Sequence, residues 1–106
     1  MVRDMLALTS DRWSLVVIHA LAQGPVRFSH LMSDVTGVSH RMLTQTLRRL
    51  QRDGLVARTS YPESPPRVED ELTGLGASFS QPLDAMVRWT VTHQDAIEAS
   101  RDRFDS

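Results

Sequence analysis

The chain has 106 residues, 41% of them hydrophobic and 24% charged, and a formal net charge of −1. That is enough chain for one modest core and too little for two. Its longest apolar run, LVVIHALA, falls well short of the roughly 20 residues a membrane-spanning helix needs. With no cysteine, the sequence as given has no disulfide, thiolate metal site or thiol chemistry.

All 12 basic side chains are Arg, and they are unevenly spread. Residues 1–61 carry eight Arg against Asp4, Asp11, Asp34 and Asp53, a balance of +4. Residues 62–106 carry four Arg against nine acids, a balance of −5. A near-neutral total laid out this way suits a protein with one basic face. The N-terminal stretch MVRDMLALTSDRW has no long apolar segment, so no secretory signal is expected and the chain reads as cytoplasmic, with no membrane partner.

Met1, Met5 and Leu8 stand at helical spacing, and Ser10 or Asp11 can cap the helix that follows. Trp13, Val16, Val17, Ala20 and Leu21 recur as the buried stripe of an amphipathic helix. His19, within it, reads as partly buried. Gln23-Gly24-Pro25 stops that helix. Phe28, Leu31, Met32 and Val35 share one face of a short helix, and Thr36-Gly37-Val38-Ser39 is a turn ending in a second N-cap. Over 40–53, Leu43, Leu47 and Leu50 form a narrow apolar seam, while the remaining surface is polar; Gly54 closes the helix. Residues 55–60 and 67–72 read as a hairpin around the proline-bearing tip YPESPP, with the acidic run Glu69-Asp70-Glu71 as a solvated edge or a partner for Arg67. Thr73 then caps a long helix with Leu75, Phe79, Leu83, Met86 and Val87 on its apolar face. Pro82 is expected to kink or restart it, and the polar tail from His93 to fray.

The fold class is therefore mainly α with a small β-hairpin: a single winged helix-turn-helix domain over 1–106, flanked by terminal dimerisation helices. The helix-turn-helix lies at about 28–53, the wing at about 55–72, and the terminal helices at about 1–8 and 74–100.

A helix that reads the major groove needs one seam bound to its own core and an opposite face rich in hydrogen-bond donors. Residues 40–52 meet both demands. His40, Arg41, Thr44, Gln45 and Arg48 form one stripe. Arg41 and Gln45 are the base-reading candidates, because Arg pairs bidentately with guanine and Gln with adenine. Thr44 suits a phosphate or a thymine methyl, Arg48 a phosphate, and Ser39 a phosphate at the helix N-terminus. Arg58 and Arg67 on the wing suit the minor groove or backbone, and Arg27 the flanking backbone.

His19, His30, His40 and His93 lack ligand spacing, so no metal or cofactor is expected. The absence of a nucleophile elbow, P-loop or dinucleotide fingerprint argues against an enzyme. The rival function is a winged-helix module for protein contact without a DNA role, which the acidic second half favours. The terminal helices carry more apolar surface than one small domain can hide. Met1, Met5, Leu8, Phe79, Leu83, Met86 and Trp89 are the expected contacts to a second copy.

The stretches DRWSLVVIHAL (11–21), GPVRFSHL (24–31), SHRMLTQTLRRLQRDGLVART (39–59) and YPESPPRVEDELTGLG (61–76) together resemble the HxlR-type winged-helix regulators, a MarR-like group. The resemblance covers nearly the whole chain. It implies a cytoplasmic homodimeric transcription factor, a repressor by default, on pseudo-palindromic operators in double-stranded DNA. It places the reading helix at 39–53, the wing at 58–67, and dimer contacts around Met1–Leu8 and Phe79–Ala99. A small-molecule effector is left open.

Two departures stand out. Many members sense oxidants through a cysteine about a dozen residues before the landmark tryptophan. Counting back from Trp13, that position falls at or before Met1, and the sequence as given carries no such thiol. Where the family often has tyrosine after the wing's Val-Glu, this chain has Asp70, a negative charge expected to weaken phosphate attraction near the wing.

Overall fold

A computed structural model describes residues 12–106. The expected helix at 1–8, the cap at Ser10 or Asp11, and the contacts assigned to Met1, Met5 and Leu8 lie outside the described residues. In chain order the elements are α1 (Arg12–Ala20), β1 (Val26–Arg27), α2 (Phe28–Asp34), α3 (His40–Arg52), β2 (Val56–Tyr61), β3 (Arg67–Leu72) and α4 (Gly74–Asp105). The helical part with its small antiparallel sheet is a winged helix-turn-helix.

The core forms where the apolar stripes of α1, α2 and α3 meet. Val17, Ile18, Leu21, Leu31, Val35, Leu43, Leu47 and Leu50 are all buried there, with Val38, Leu55, Val56 and Leu83 closing its edges. The turn between α2 and α3 needs a positive φ, and Gly37 supplies it at 88°. The Trp13 ring packs over this turn, 3.7 Å from where a Cβ on Gly37 would sit. Gly54, at φ 78°, ends α3 in the same way.

The sheet has three strands in the order β1-β3-β2, all antiparallel. Val26 and Arg27 pair with Asp70 and Glu69, a two-residue strand too short to announce itself in the sequence. It makes β3 the central strand. The acidic run therefore does not form a solvated edge: Asp70 is fully buried, and only Glu71 of the three acids is exposed.

Other expectations change as well. The buried stripe of α1 runs through Ser14, Val17 and Ile18, while Val16 is exposed. Ser14 and Val16 face nearly opposite ways on the helix, so turning the small Ser14 side chain inward leaves Val16 to solvent. His19 is exposed, and its Nδ1 lies 3.6 Å from Asp84 on α4. Pro82 does not restart α4, which runs on through it for 32 residues, to Asp105. Leu83 lies in the chain's own core at 5% exposure, and Phe79 is half-buried against that core. Leu83 is thus withdrawn from the side chains open to a second copy, because the first turns of α4 must close the domain before the rest projects away.

A joint of four residues sets the start of α4. The Thr73 amide donates to the Leu55 carbonyl at 3.0 Å, and the Thr73 hydroxyl donates to the Gly54 carbonyl at 2.6 Å. The same hydroxyl oxygen accepts from the Gly76 amide at 3.1 Å, capping the helix. Gly76 is buried, and a Cβ there would run into the Leu55 carbonyl, backbone that cannot swing aside. Gly76→Ala is therefore expected to destabilise the protein by about 1–3 kcal/mol, read as a lowered urea midpoint at unchanged m.

Candidate nucleic-acid interface

The geometry of the site begins with α3. Leu43, Leu47 and Leu50 have no exposed surface, and Thr46 lies beside them at 3%. This seam, one residue per turn, pins the helix to the core and turns the stripe at 41, 45 and 48 outward. Arg41, Gln45 and Arg48 are exposed, and among the described residues their side chains have no hydrogen-bond or ion-pair partner. Residues 40–52 hold Arg41, Arg48, Arg49 and Arg52 and no acid, a run of +4.

The N-terminal end of α3 is fixed by Ser39, whose Oγ accepts from the Met42 amide at 3.1 Å. The hydroxyl proton of Ser39 remains available to a phosphate. His40 packs edge-on against Phe28 of α2, ring centroids 4.8 Å apart, which ties the two helices of the motif together. Thr44 donates its hydroxyl proton to the His40 carbonyl at 2.8 Å. It therefore has no proton left for a phosphate, and its methyl group and hydroxyl lone pairs are what it can offer DNA.

The wing stands beside this helix. Phe28, His40, Thr44, Arg58 and Val68 line an open groove of about 300 Å³ between them. A second hollow of about 430 Å³ lies between the start of α2, at Arg27, Phe28 and Ser29, and the wing tip from Glu63 to Val68. Arg27 is exposed at its rim, with no side-chain partner among the described residues.

The two wing arginines are differently placed from Arg27 and Arg41. Arg58 turns back onto Asp70, with Nε 3.0 Å from Oδ1 and Nη2 3.2 Å from Oδ2. Gln51 of α3 donates to the same Oδ1 at 3.4 Å. Arg67 lies between Glu63 at 3.0 Å and Glu69 at 3.1 Å, with its guanidinium 4.0 Å from the centroid of the Tyr61 ring. The expected pairing of Arg67 with the acidic run is present, through Glu69. The sequence marks Asp70 only as a negative charge near the wing, not as the partner of Arg58. Asp70 is recognisable only once β2 and β3 are in register, which sets it directly opposite Arg58. Nothing in the sequence signals the reach of Gln51.

On α4, Met86 and Trp89 are more than half exposed, together with Leu75, Val91 and Phe104. The Trp89 ring stacks on His93 at 4.4 Å. No group of three or more metal-ligating side chains occurs among the described residues, and no helix among them is long and apolar enough to cross a membrane.

A short helix, a glycine turn, a polar-faced second helix held by a leucine seam, and a hairpin on its flank define a winged helix-turn-helix DNA-binding protein. The family model described as HxlR-like helix-turn-helix matches residues 8–98. The chain is 38% identical over 100 residues to the uncharacterized HTH-type transcriptional regulator YtfH of Escherichia coli (strain K12), covering 94% of this chain and 79% of that protein. Over 78 residues it is 44% identical to an uncharacterized HTH-type transcriptional regulator of Methanothermobacter thermautotrophicus, covering 74% and 60% of the two chains.

Among solved structures, ytfH from Salmonella typhimurium superposes with a TM-score of 0.86 at 38% identity, covering 94% of this chain and 89% of its own. The redox regulator HypR in its reduced form superposes at 0.85 with 30% identity, covering 92% and 97%. The chain belongs to the HxlR-like helix-turn-helix family and is a DNA-binding transcriptional regulator.

The cap at Ser39 is a testable part of this geometry. Ser39→Ala strips the Met42 amide of its acceptor and is expected to cost about 1 kcal/mol of stability, measurable by urea unfolding followed by circular dichroism.

Proposed function

We propose that the protein is a cytoplasmic repressor that binds a pseudo-palindromic operator as a homodimer, with α3 in the major groove and the wing over the adjacent backbone or minor groove. The observation that carries this reading is the stripe of Arg41, Gln45 and Arg48, exposed and without partners opposite a fully buried seam. Side chains without partners give up no existing bond when they reach base edges, and the rigid helix spares them any backbone ordering. Arg41 and Gln45 read bases. Ser39, Arg48 and Arg27 hold phosphates, and His40 and Thr44 line the groove between helix and wing.

The homodimer is supported by the large apolar side chains exposed along α4. Leu75, Met86, Trp89, Val91 and Phe104 are each more than half exposed on one helix, more apolar surface than a small monomer ordinarily leaves to water. A two-fold pair would set its two reading helices about one DNA turn apart, roughly 34–36 Å, which makes a repeated half-site the natural target. Binding over a promoter would then exclude the polymerase.

The alternative, a module for protein contact without a DNA role, draws on the wing, whose residues 56–72 sum to −2. A salt series against the DNA upstream of the protein's own gene, with random duplex as competitor, separates the two. The DNA reading expects specific binding whose log affinity falls linearly with log salt; equal, salt-insensitive binding to both duplexes would favour the alternative. Arg41→Ala or Gln45→Ala is expected to cost about 1–3 kcal/mol at the base each one reads and to relax preference there. An operator affinity unmoved by Arg41→Ala would place the reading surface elsewhere. Trp89→Asp is expected to shift the protein toward monomer in sedimentation velocity and to weaken operator binding with it.

A further inference from the structure

Residues 56–72 hold Arg58 and Arg67 against Glu63, Glu69, Asp70 and Glu71. A wing that grips DNA through its cations would be expected to leave those cations free. Here Asp70, with no exposed surface, sits on the central strand with both carboxylate oxygens engaged by Arg58. A carboxylate taken wholly out of water must be compensated where it lies. Arg58 supplies the compensation with two parallel N–H donors, the geometry that binds a carboxylate most firmly.

Arg58 is nevertheless well sited for DNA. It lines the groove between α3 and the wing, and its side chain keeps 35% of its surface exposed. Asp70 takes its Nε and Nη2 edge, so to offer a phosphate that bidentate edge and a charge not already paired, Arg58 would have to abandon the carboxylate. Stripping the partner from a buried charge is among the costliest single losses a fold can suffer. One phosphate contact returns only the release of about one counterion.

We propose that Asp70 is a positioning residue that withdraws Arg58 from DNA. The carboxylate locks the guanidinium in the sheet, ties the wing to the reading helix through Gln51, and leaves the electrostatic grip to α3 and Arg27. This rests on the DNA-binding reading and adds a division of labour within it: the wing's charge is structural, and the reading helix carries the salt dependence.

The test is the slope of log affinity against log salt for a random-sequence duplex. The wild-type slope is the reference. The double variant Arg58→Met/Asp70→Met replaces the pair by apolar groups, the exchange buried pairs tolerate best. It is expected to keep the wild-type slope, because the cation it removes makes no phosphate contact. Asp70→Asn retains the shape of the side chain and one acceptor while freeing the charge of Arg58. Its slope is expected to steepen by about 0.9, the value of one added phosphate contact.

Loss of about 0.9 from the slope in the double variant would show Arg58 on DNA in the wild type and overturn the proposal alone. So would a folded Asp70→Asn with an unchanged slope. If Asp70→Asn fails to fold, the double variant decides by itself. A wild-type protein with no salt dependence would overturn the DNA-binding reading and take this proposal with it, an outcome visible before any variant is made.

Discussion

The polar face of α3 can be offered to a partner only because its opposite edge is buried without remainder. Leu43, Leu47 and Leu50 have no exposed surface. That edge is narrow, three leucines with Thr46 beside them, so the opposite face is free for donors. A broader apolar stripe would hold the helix more strongly and leave fewer positions for Arg and Gln. A narrower one would not fix its rotation. The partner surfaces obey the same constraint: Ile18 and Leu21 of the first helix, and Leu31 and Val35 of the short helix, are themselves fully or almost fully buried. The outward direction of Arg41, Gln45 and Arg48 is thus a property of the core, and any core change that rotates the helix also rotates the site.

The wing and the long helix are set relative to that helix by two small polar devices. One is the joint at Gly54, Leu55, Thr73 and Gly76, where a single threonine donates twice to backbone and accepts once. It brings the exit of the reading helix, the first residue before the wing and the start of the long helix to one point. The other is Asp70, held by Arg58 from the neighbouring strand and approached by Gln51 from the reading helix. Both devices place hydrogen-bonding groups where apolar packing alone would leave the angle between hairpin and helix loosely defined. Buried polar contacts satisfied on every side are directional in a way that methyl groups are not.

The sequence made the larger features legible because each had a local cause. Ser39 and Thr73 cap the helices predicted for them. Gly37 and Gly54 sit at the positive φ their turns require, and the leucine seam follows from helical spacing. What escaped depends on tertiary register. β1 is two residues long and exists because β3 passes beside it. Asp70 looked like a solvated acid because the three-residue acidic run suggested an edge; adding β1 turns that edge into a centre. The buried stripe of α1 is rotated toward Ser14 and away from Val16 because the helix is oriented by its neighbours and not by its own hydrophobicity. Pro82 does not restart the long helix, which continues through it. Leu83 belongs to the core because the joint at Thr73 aims the first turns of α4 across the domain. In the candidate site, the stripe on α3 was legible residue by residue. The diversion of the wing arginines was not, since an ion pair across two strands has no sequence spacing of its own.

A chain of net charge −1 can still attract a polyanion, given where its charges lie. Residues 40–52 carry four Arg and no acid, concentrated within a helix about 20 Å long at 1.5 Å per residue. The long helix carries Asp84, Asp95, Glu98, Asp102 and Asp105 against three Arg. Its acids from Asp95 onward lie roughly 30 Å or more along the axis from its start. The Debye length at physiological salt is about 8 Å, so charges that far along a projecting helix contribute little to the field at the reading surface. Of the wing acids, Glu63, Glu69 and Asp70 are already paired with Arg67 and Arg58. What remains for an approaching phosphate backbone is the charge of Arg41 and Arg48 on the reading helix, and Arg27. The total charge of the molecule is therefore a poor guide to its partner, and the local balance on one helix is a good one.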